Sequence, residues 1–266
     1  MEISQHIAAL KEDGSRLADA AQAAGLAAEV PACPGWRVRD LVRHQAYVHR
    51  WAGRHVAERR SVIIEEGDES DIVSVGPPDE RLIASYLEGH AALVRILSEA
   101  DPGVRCATFL PAPSPLAFWA RRQAHETAIH RYDTQGAARE GAPVPGSAFP
   151  AGFAADGIDE LIAGFAARGS GDGIARDLLV RAGDTEDAWR FTWPAEGRVR
   201  VRRYQPGEPA DPEGPAGSAA CELSGTASAL YLFLWNRCGA REAGLTVTGD
   251  DTIIQVWRGS VRVRWD

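Results

Sequence analysis

Residues 139–150 contain three prolines, and the spacing of apolar residues changes across them. Proline fixes φ and lacks a backbone donor, so neither a helix nor a central strand runs through such a stretch. Before it, apolar residues recur every three or four positions. After it, short runs alternate with a period of two. The two halves therefore need different kinds of packing partner, and the expected fold class is α+β with two domains, 1–145 and 151–266. The length of 266 residues agrees, because single cores stop growing at about 250–300 residues and chains divide.

In the first half, Ile7, Leu10, Leu17 and Ala21 mark the inner face of a helix over 3–27. The segment Val30–Gly35 stops it with two prolines and a glycine. A second helix is expected from Val38 to Arg60, with the stripe Leu41, His44, Val48, Trp51, His55 at spacings of 3, 4, 3 and 4. Pro77 and Pro78 open a third helix over 79–100, which Asp101-Pro102-Gly103 ends. After a loop with four prolines (101–115), a fourth runs from Leu116 to Ala138. Its inner line is Trp119, Arg122, Glu126, Ile129/His130 and Asp133. Four helices within 138 residues imply a four-helix bundle.

In the second half, 151–168 reads as helix, followed by strands at Asp177–Ala182, Ala188–Thr192 and Arg198–Tyr204. In the last, arginines alternate with Val199 and Val201, which describes a solvated sheet face. Gln205–Gly217 reads as a mobile loop. A strand at Ala219–Leu223, an apolar helix at Thr226–Cys238 capped by Gly239, and strands at Leu245–Thr248 and Ser260–Trp265 complete the expectation.

Composition narrows the function classes. A net charge of −8 argues against nucleic acid as main partner, because phosphate binding needs a basic face. No apolar run approaches the roughly 18–20 residues of a membrane span, and Met1–Leu10 does not resemble a signal peptide. A soluble, cytoplasmic monomer acting on small molecules is expected. Cys33, Cys106, Cys221 and Cys238 form no CxxC pair and read as separate reduced thiols.

The chemistry concentrates at three positions. Glu126 and His130 stand four apart, on one face of a helix, so both can grip one metal. A third ligand must come from another helix, and His44 lies on the inward stripe of the second. Two imidazoles and a carboxylate fill three corners of a tetrahedron and leave the fourth open, as catalytic zinc sites do. The plain alternative is a Glu–His pair and a core histidine that satisfy one another. The string His125-Glu126-Thr127-Ala128-Ile129-His130 approaches the HExxH protease motif, but its histidines are five apart and point in different directions. His55 is about 16 Å along the helix from His44 and cannot share its metal. Asp133, three residues after His130, can accept that ring's second N–H; solvent exposure or pairing with Arg131 or Arg122 are the alternatives. Trp36 packs at the entrance of the second helix.

The segments Val30-Pro-Ala-Cys-Pro-Gly-Trp-Arg-Val-Arg-Asp-Leu-Val-Arg-His44 and Arg122-Gln-Ala-His-Glu126-Thr-Ala-Ile-His130-Arg-Tyr-Asp133 together resemble the mycothiol-dependent maleylpyruvate isomerase family. The late run Leu-Tyr-Leu-Phe-Leu-Trp-Asn-Arg237 adds to the likeness. The resemblance implies a DinB-like metal-binding bundle followed by a sterol-carrier-like α+β domain. It implies zinc on His44, Glu126 and His130, mycothiol as the thiol, and a substrate-binding arginine, Arg237, from the second domain. Zinc stabilises a thiolate; its reversible addition to an unsaturated keto-acid would allow cis–trans isomerisation. S-transfer or thiol exchange, and noncatalytic binding of a metal or small ligand, are the other readings. Two positions depart from the family pattern. Arg37 stands where Ser or Thr usually caps a helix, and Asn236 replaces a usual glycine beside Arg237. Without the family, Arg237 reads as a cation in the last turn of a helix, offsetting its dipole.

Overall fold

The structure, a computed structural model, describes residues 1–64, 76–138, 143–166, 169, 173–205 and 219–260. These divide into two compact units, with the break between Pro143 and Val144.

The first unit is helical. Its helices are α1 (Ile3–Ala24), α2 (Val38–Ala57), α3 (Asp79–Glu99) and α4 (Pro115–Gly136). Three of the four starts have a hydrogen-bonded local cause. Gln5 Oε1 accepts the Glu2 N–H at 2.8 Å ahead of α1. Asp40 Oδ2 accepts the Arg37 N–H at 2.9 Å ahead of α2. That carboxylate, three residues into the helix, supplies half of the reciprocal cap that a Ser or Thr at position 37 would complete. Ser114 accepts from the Ala117 N–H at 3.1 Å, and Pro115 occupies the first helical position, where its missing donor costs nothing. α1 packs mainly against α4, and α2 against α3. Leu17, Ala21, Val38, Leu41, Val42, Leu82 and Tyr86 form one apolar cluster among α1, α2 and α3. α4 is buried on every side, from Leu116 to Thr134, apart from partly covered Ala117 and Arg121. A helix enclosed all round has no single inner line, so the line expected from the sequence is only one of its buried faces.

The second unit is α+β. It opens with a short turn of 3-10 helix at Pro145–Ser147. α5 (Ala151–Asp159) follows and continues as a π-helical turn, Glu160–Phe165. Strands β1 (Arg176–Ala182), β2 (Ala188–Trp193), β3 (Arg200–Tyr204), β4 (Cys221–Gly225) and β5 (Thr246–Gly249) form one sheet in the order β3-β2-β1-β4-β5. Only β1 and β4 run parallel. α6 (Ala227–Leu234) lies between β4 and β5, and α7 (Thr252–Ser260) follows β5. Leu178 pairs with Phe191 and Cys221, and Val180 with Trp189 and Leu223, so these residues share the buried face. Trp257 of α7 packs edge-on to Phe191, with centroids 5.5 Å apart, and donates its indole N–H to the Leu234 carbonyl at 3.2 Å. Arg200 and Arg202 occupy the opposite face and are exposed.

Three expectations change. The helix at Thr226–Cys238 is shorter: Thr226 caps it, it ends at Leu234, and Gly239 plays no capping part. Asn236, at φ 61°, turns the chain instead. Its N–H reaches the Phe233 carbonyl at 2.9 Å, and the Arg237 N–H reaches Leu232 at 2.9 Å, the bond pattern of a Schellman motif. Asparagine is, after glycine, the residue that tolerates this conformation best, which accounts for Asn236 in place of glycine. Arg237 therefore follows the helix rather than sitting in its last turn. Ser260, expected to begin a strand, ends helix α7, while 261–265 lie outside the described residues. So do 206–217 of the expected mobile loop, 139–142 of the linker and 167–168 of the expected helix end.

Candidate metal centre

α2 and α4 run antiparallel: the His44 ring lies 5.2 Å from that of His130, and farther along, His55 stacks on Trp119 at 4.7 Å. At the His44 end, one turn of α4 presents Glu126 and His130 to α2. Glu126 Oε1 lies 3.1 Å from His130 Nε2 and 3.4 Å from His44 Nε2. One ligand atom from each of the three side chains lies within 4.8 Å of the others. All three residues are buried.

The surrounding groups hold this arrangement in place. Arg122, one turn before Glu126, donates Nη2–H to Oε2 at 3.1 Å and is itself fully buried. It fixes the carboxylate and leaves Oε1 turned toward the imidazoles. His130 donates Nδ1–H to Asp133 Oδ2 at 3.0 Å, which orients the ring with Nε2 toward Glu126, the atom that would bind a metal on losing its proton. Trp36 stands edge-on to the His44 ring, with centroids 5.3 Å apart.

The electrostatics favour a cation between these groups. Burial opposes ionisation of Glu126, but the bonds with His130 and His44, and the charges of His130 and Arg122, hold its carboxyl well below the ordinary range. Burial likewise opposes a charge on His130, yet Asp133 and Glu126 outweigh it and push its pKa up to about 9. The field that keeps a proton between His130 Nε2 and Glu126 Oε1 also suits a divalent ion there. Two imidazole nitrogens with a carboxylate oxygen, and a carboxylate behind one histidine, match the protein donor set of a catalytic zinc site. The residues present fit the metal.

One neighbour was not singled out by the sequence. Cys33, in the loop before α2, directs its thiol toward Asp133 Oδ2 at 3.7 Å, and Cys33, His130 and Asp133 also have ligand atoms within 4.8 Å of one another. No spacing rule links positions a hundred residues apart. The other histidines are engaged elsewhere. His125 meets His6, with ring centroids 6.0 Å apart. His55 bonds the Trp51 carbonyl through Nδ1 at 2.9 Å, and its Nε2 accepts the Ile64 N–H at 3.0 Å. His49, off the sequence stripe, is fully buried and bonds Thr127 Oγ1 at 2.9 Å. Arg131 pairs with buried Asp13 of α1 at 2.9 Å. Arg237 belongs to the second unit, where its Nη1 donates to the Trp235 carbonyl at 3.0 Å and its guanidinium lies 5.9 Å from the Trp235 ring centre.

A helical unit that gathers two imidazoles and a carboxylate, followed by an α+β unit with a five-stranded sheet, defines a two-domain protein with a candidate metal centre in its bundle. Family models narrow this. The mycothiol maleylpyruvate isomerase N-terminal domain matches residues 7–135, the C-terminal domain of the same family matches 152–255, and the chain belongs to that family. A crystal structure of the mycothiol-dependent maleylpyruvate isomerase is similar over 93% of both chains, with a TM-score of 0.63 and 14% identity. A histidine-to-alanine mutant of that isomerase gives a TM-score of 0.63 at 13% identity, again over 93% of both chains. At this identity the likeness concerns the fold. No curated protein matches the chain. Among the described residues, no helix is long and apolar enough to cross a membrane.

Proposed function

We propose that the chain is a mycothiol-dependent enzyme in which His44, Glu126 and His130 hold one divalent metal, zinc by preference, and that it isomerises a small unsaturated keto-acid. The convergence of three buried ligand atoms, backed by Asp133 and Arg122, carries the metal part of the reading. Family membership supports the thiol and the reaction class. When bound, zinc would supply a Lewis-acid position that favours thiolate over thiol at neutral pH.

The protein's own groups have distinct parts. His44 and His130 would offer ring nitrogens and Glu126 a single carboxylate oxygen, so a bound divalent ion would leave the three-ligand set with a net positive charge that favours an anionic sulfur. Arg122 holds Glu126 from the side away from the imidazoles. Asp133 accepts the Nδ1–H of His130, so Nε2 is the ring nitrogen left to meet a metal. Bound mycothiol would supply a nucleophilic sulfur able to add reversibly to an electron-poor double bond, chemistry that exchanges geometric isomers without consuming the thiol. Arg237 is the residue proposed to bind the substrate carboxylate bidentately. S-transfer to an electrophile would use the same groups without elimination and remains the second reading on chemical grounds.

The test is metal analysis of the native protein and of Glu126→Ala, followed by titration of each with mycothiol while proton release is recorded. The proposal expects about one zinc per native chain, loss of it in the variant, and release of a proton on thiol binding only when metal is present. A native protein that takes up no metal when offered zinc would sink the metal reading. Metal with thiol binding, but consumption of thiol in place of isomerisation, would favour S-transfer.

A further inference from the structure

The helical unit contains a second polar cluster, independent of the metal reading. His49 and Gln45 of α2, His90 of α3 and Gln123 of α4 are all buried, with exposures of 0%, 0%, 4% and 0%. The Nδ1 atoms of both histidines and both amide atoms of both glutamines have no hydrogen-bond partner among the described residues. A buried polar atom left unpaired is strongly disfavoured, and in folded proteins such atoms find a partner or an ordered water.

The geometry links these groups. The His49 and His90 rings lie 5.4 Å apart, tilted by 38°. Their other nitrogens are engaged: His49 Nε2 bonds Thr127 Oγ1 at 2.9 Å, and His90 Nε2 lies 3.3 Å from the Lys11 carbonyl. A carbonyl only accepts, so His90 carries its proton on Nε2 and, when neutral, turns a lone pair outward at Nδ1. Gln45 lies one turn before His49 on α2. Gln123 lies one turn before Thr127 on α4. Because α2 and α4 run antiparallel, the two amides flank His49 on opposite sides along the bundle axis, and Gln45 adjoins His44.

We propose that the bundle interior binds ordered water at this second site, with one molecule bridging the Nδ1 atoms of His49 and His90 and further water satisfying the amides of Gln45 and Gln123. The chemistry selects water. The four side chains offer a mixture of donors and acceptors with no acidic group, which suits a molecule that both donates and accepts rather than an anion or a cation.

Two measurements on the full chain test the site. A high-resolution crystal structure should show water density between the two rings. Gln45→Met and Gln123→Met, similar in volume and apolar, should each lower Tm by about 2–4 °C, because a buried water loses a partner. A well-ordered map without that density overturns the proposal. So does a rise in Tm, which would mean that methionine had replaced an amide with nothing to bond. An anomalous scattering peak between the rings would make this a metal site and overturn it equally. If either variant fails to fold, the map of the native protein decides.

Discussion

Replacing Asp133 by asparagine tests the candidate metal centre without removing a ligand. Asp133 is 1% exposed, and its Oδ2 accepts both His130 Nδ1–H at 3.0 Å and the Cys33 thiol at 3.7 Å. Asparagine keeps the volume and one acceptor but loses the charge that makes Nε2 a better donor. It can also turn its NH2 toward Nδ1, which would favour the wrong tautomer. Substitutions behind a metal-bound histidine typically cost 10–100-fold in affinity, or about 1.4–2.7 kcal/mol. The upper part of that range is expected here, because His130 is buried and no solvent can replace the carboxylate. The assay is competition for zinc against a chromophoric chelator, with circular dichroism as the check on folding. Cys33→Ala, which leaves Asp133 in place, should change the affinity far less. A folded Asp133→Asn protein with native zinc affinity would refute the assignment of His130 Nε2 as a ligand.

Three further outcomes follow from the same contacts. Glu126→Gln should abolish metal binding and lower stability by about 3–5 kcal/mol, because it leaves the Arg122 charge buried beside a neutral amide; adding Arg122→Met should restore most of the stability but no metal, as urea denaturation and metal analysis would show. Gly14→Ala, a change that usually favours a helix by about 1 kcal/mol, should instead destabilise by about 1–3 kcal/mol, because its Cβ would meet the His90 ring at 2.2 Å; a stability gain in urea would contradict the packing described. Burial lowers the pKa of His49 and of His90 below the ordinary 6.5, so both are neutral in folded and unfolded chains above that value. As pH falls below about 6.5 the unfolded chain takes up these protons first, and stability should drop by up to about 1.4 kcal/mol per pH unit for each histidine. Unfolding free energies measured between pH 6.5 and 5, where His130 is charged in both states, should show this slope, reduced in His49→Gln, and a flat profile would speak against buried neutral imidazoles.

How far each feature could be read from the chain depends on how local its cause is. The four bundle helices follow from apolar spacing and from prolines at their ends, both properties of neighbouring residues. Glu126 and His130 stand out for the same reason, since four residues along a helix place two side chains on one face whatever surrounds them. His44 required one more assumption, that its stripe faces inward. The capping of α6 shows the limit. A glycine at 239 is a reasonable stop signal, but where the chain turns was decided by the left-handed Asn236, and that moved Arg237 out of the helix.

What only tertiary structure decides is which surfaces are covered and by what. His49 lies off the amphipathic stripe of α2, yet it is fully buried, because α3 and α4 both cover that side. Cys33 reaches Asp133 across a hundred residues, and Arg122 donates to Glu126 Oε2 from one turn earlier on the same helix. The parallel neighbourhood of β1 and β4, and helix α7 against Phe191, likewise depend on partners distant in sequence. Periodicity along a chain reports the shape of one element. Burial, pairing and the field at a buried carboxylate are sums over neighbours that the fold alone brings together.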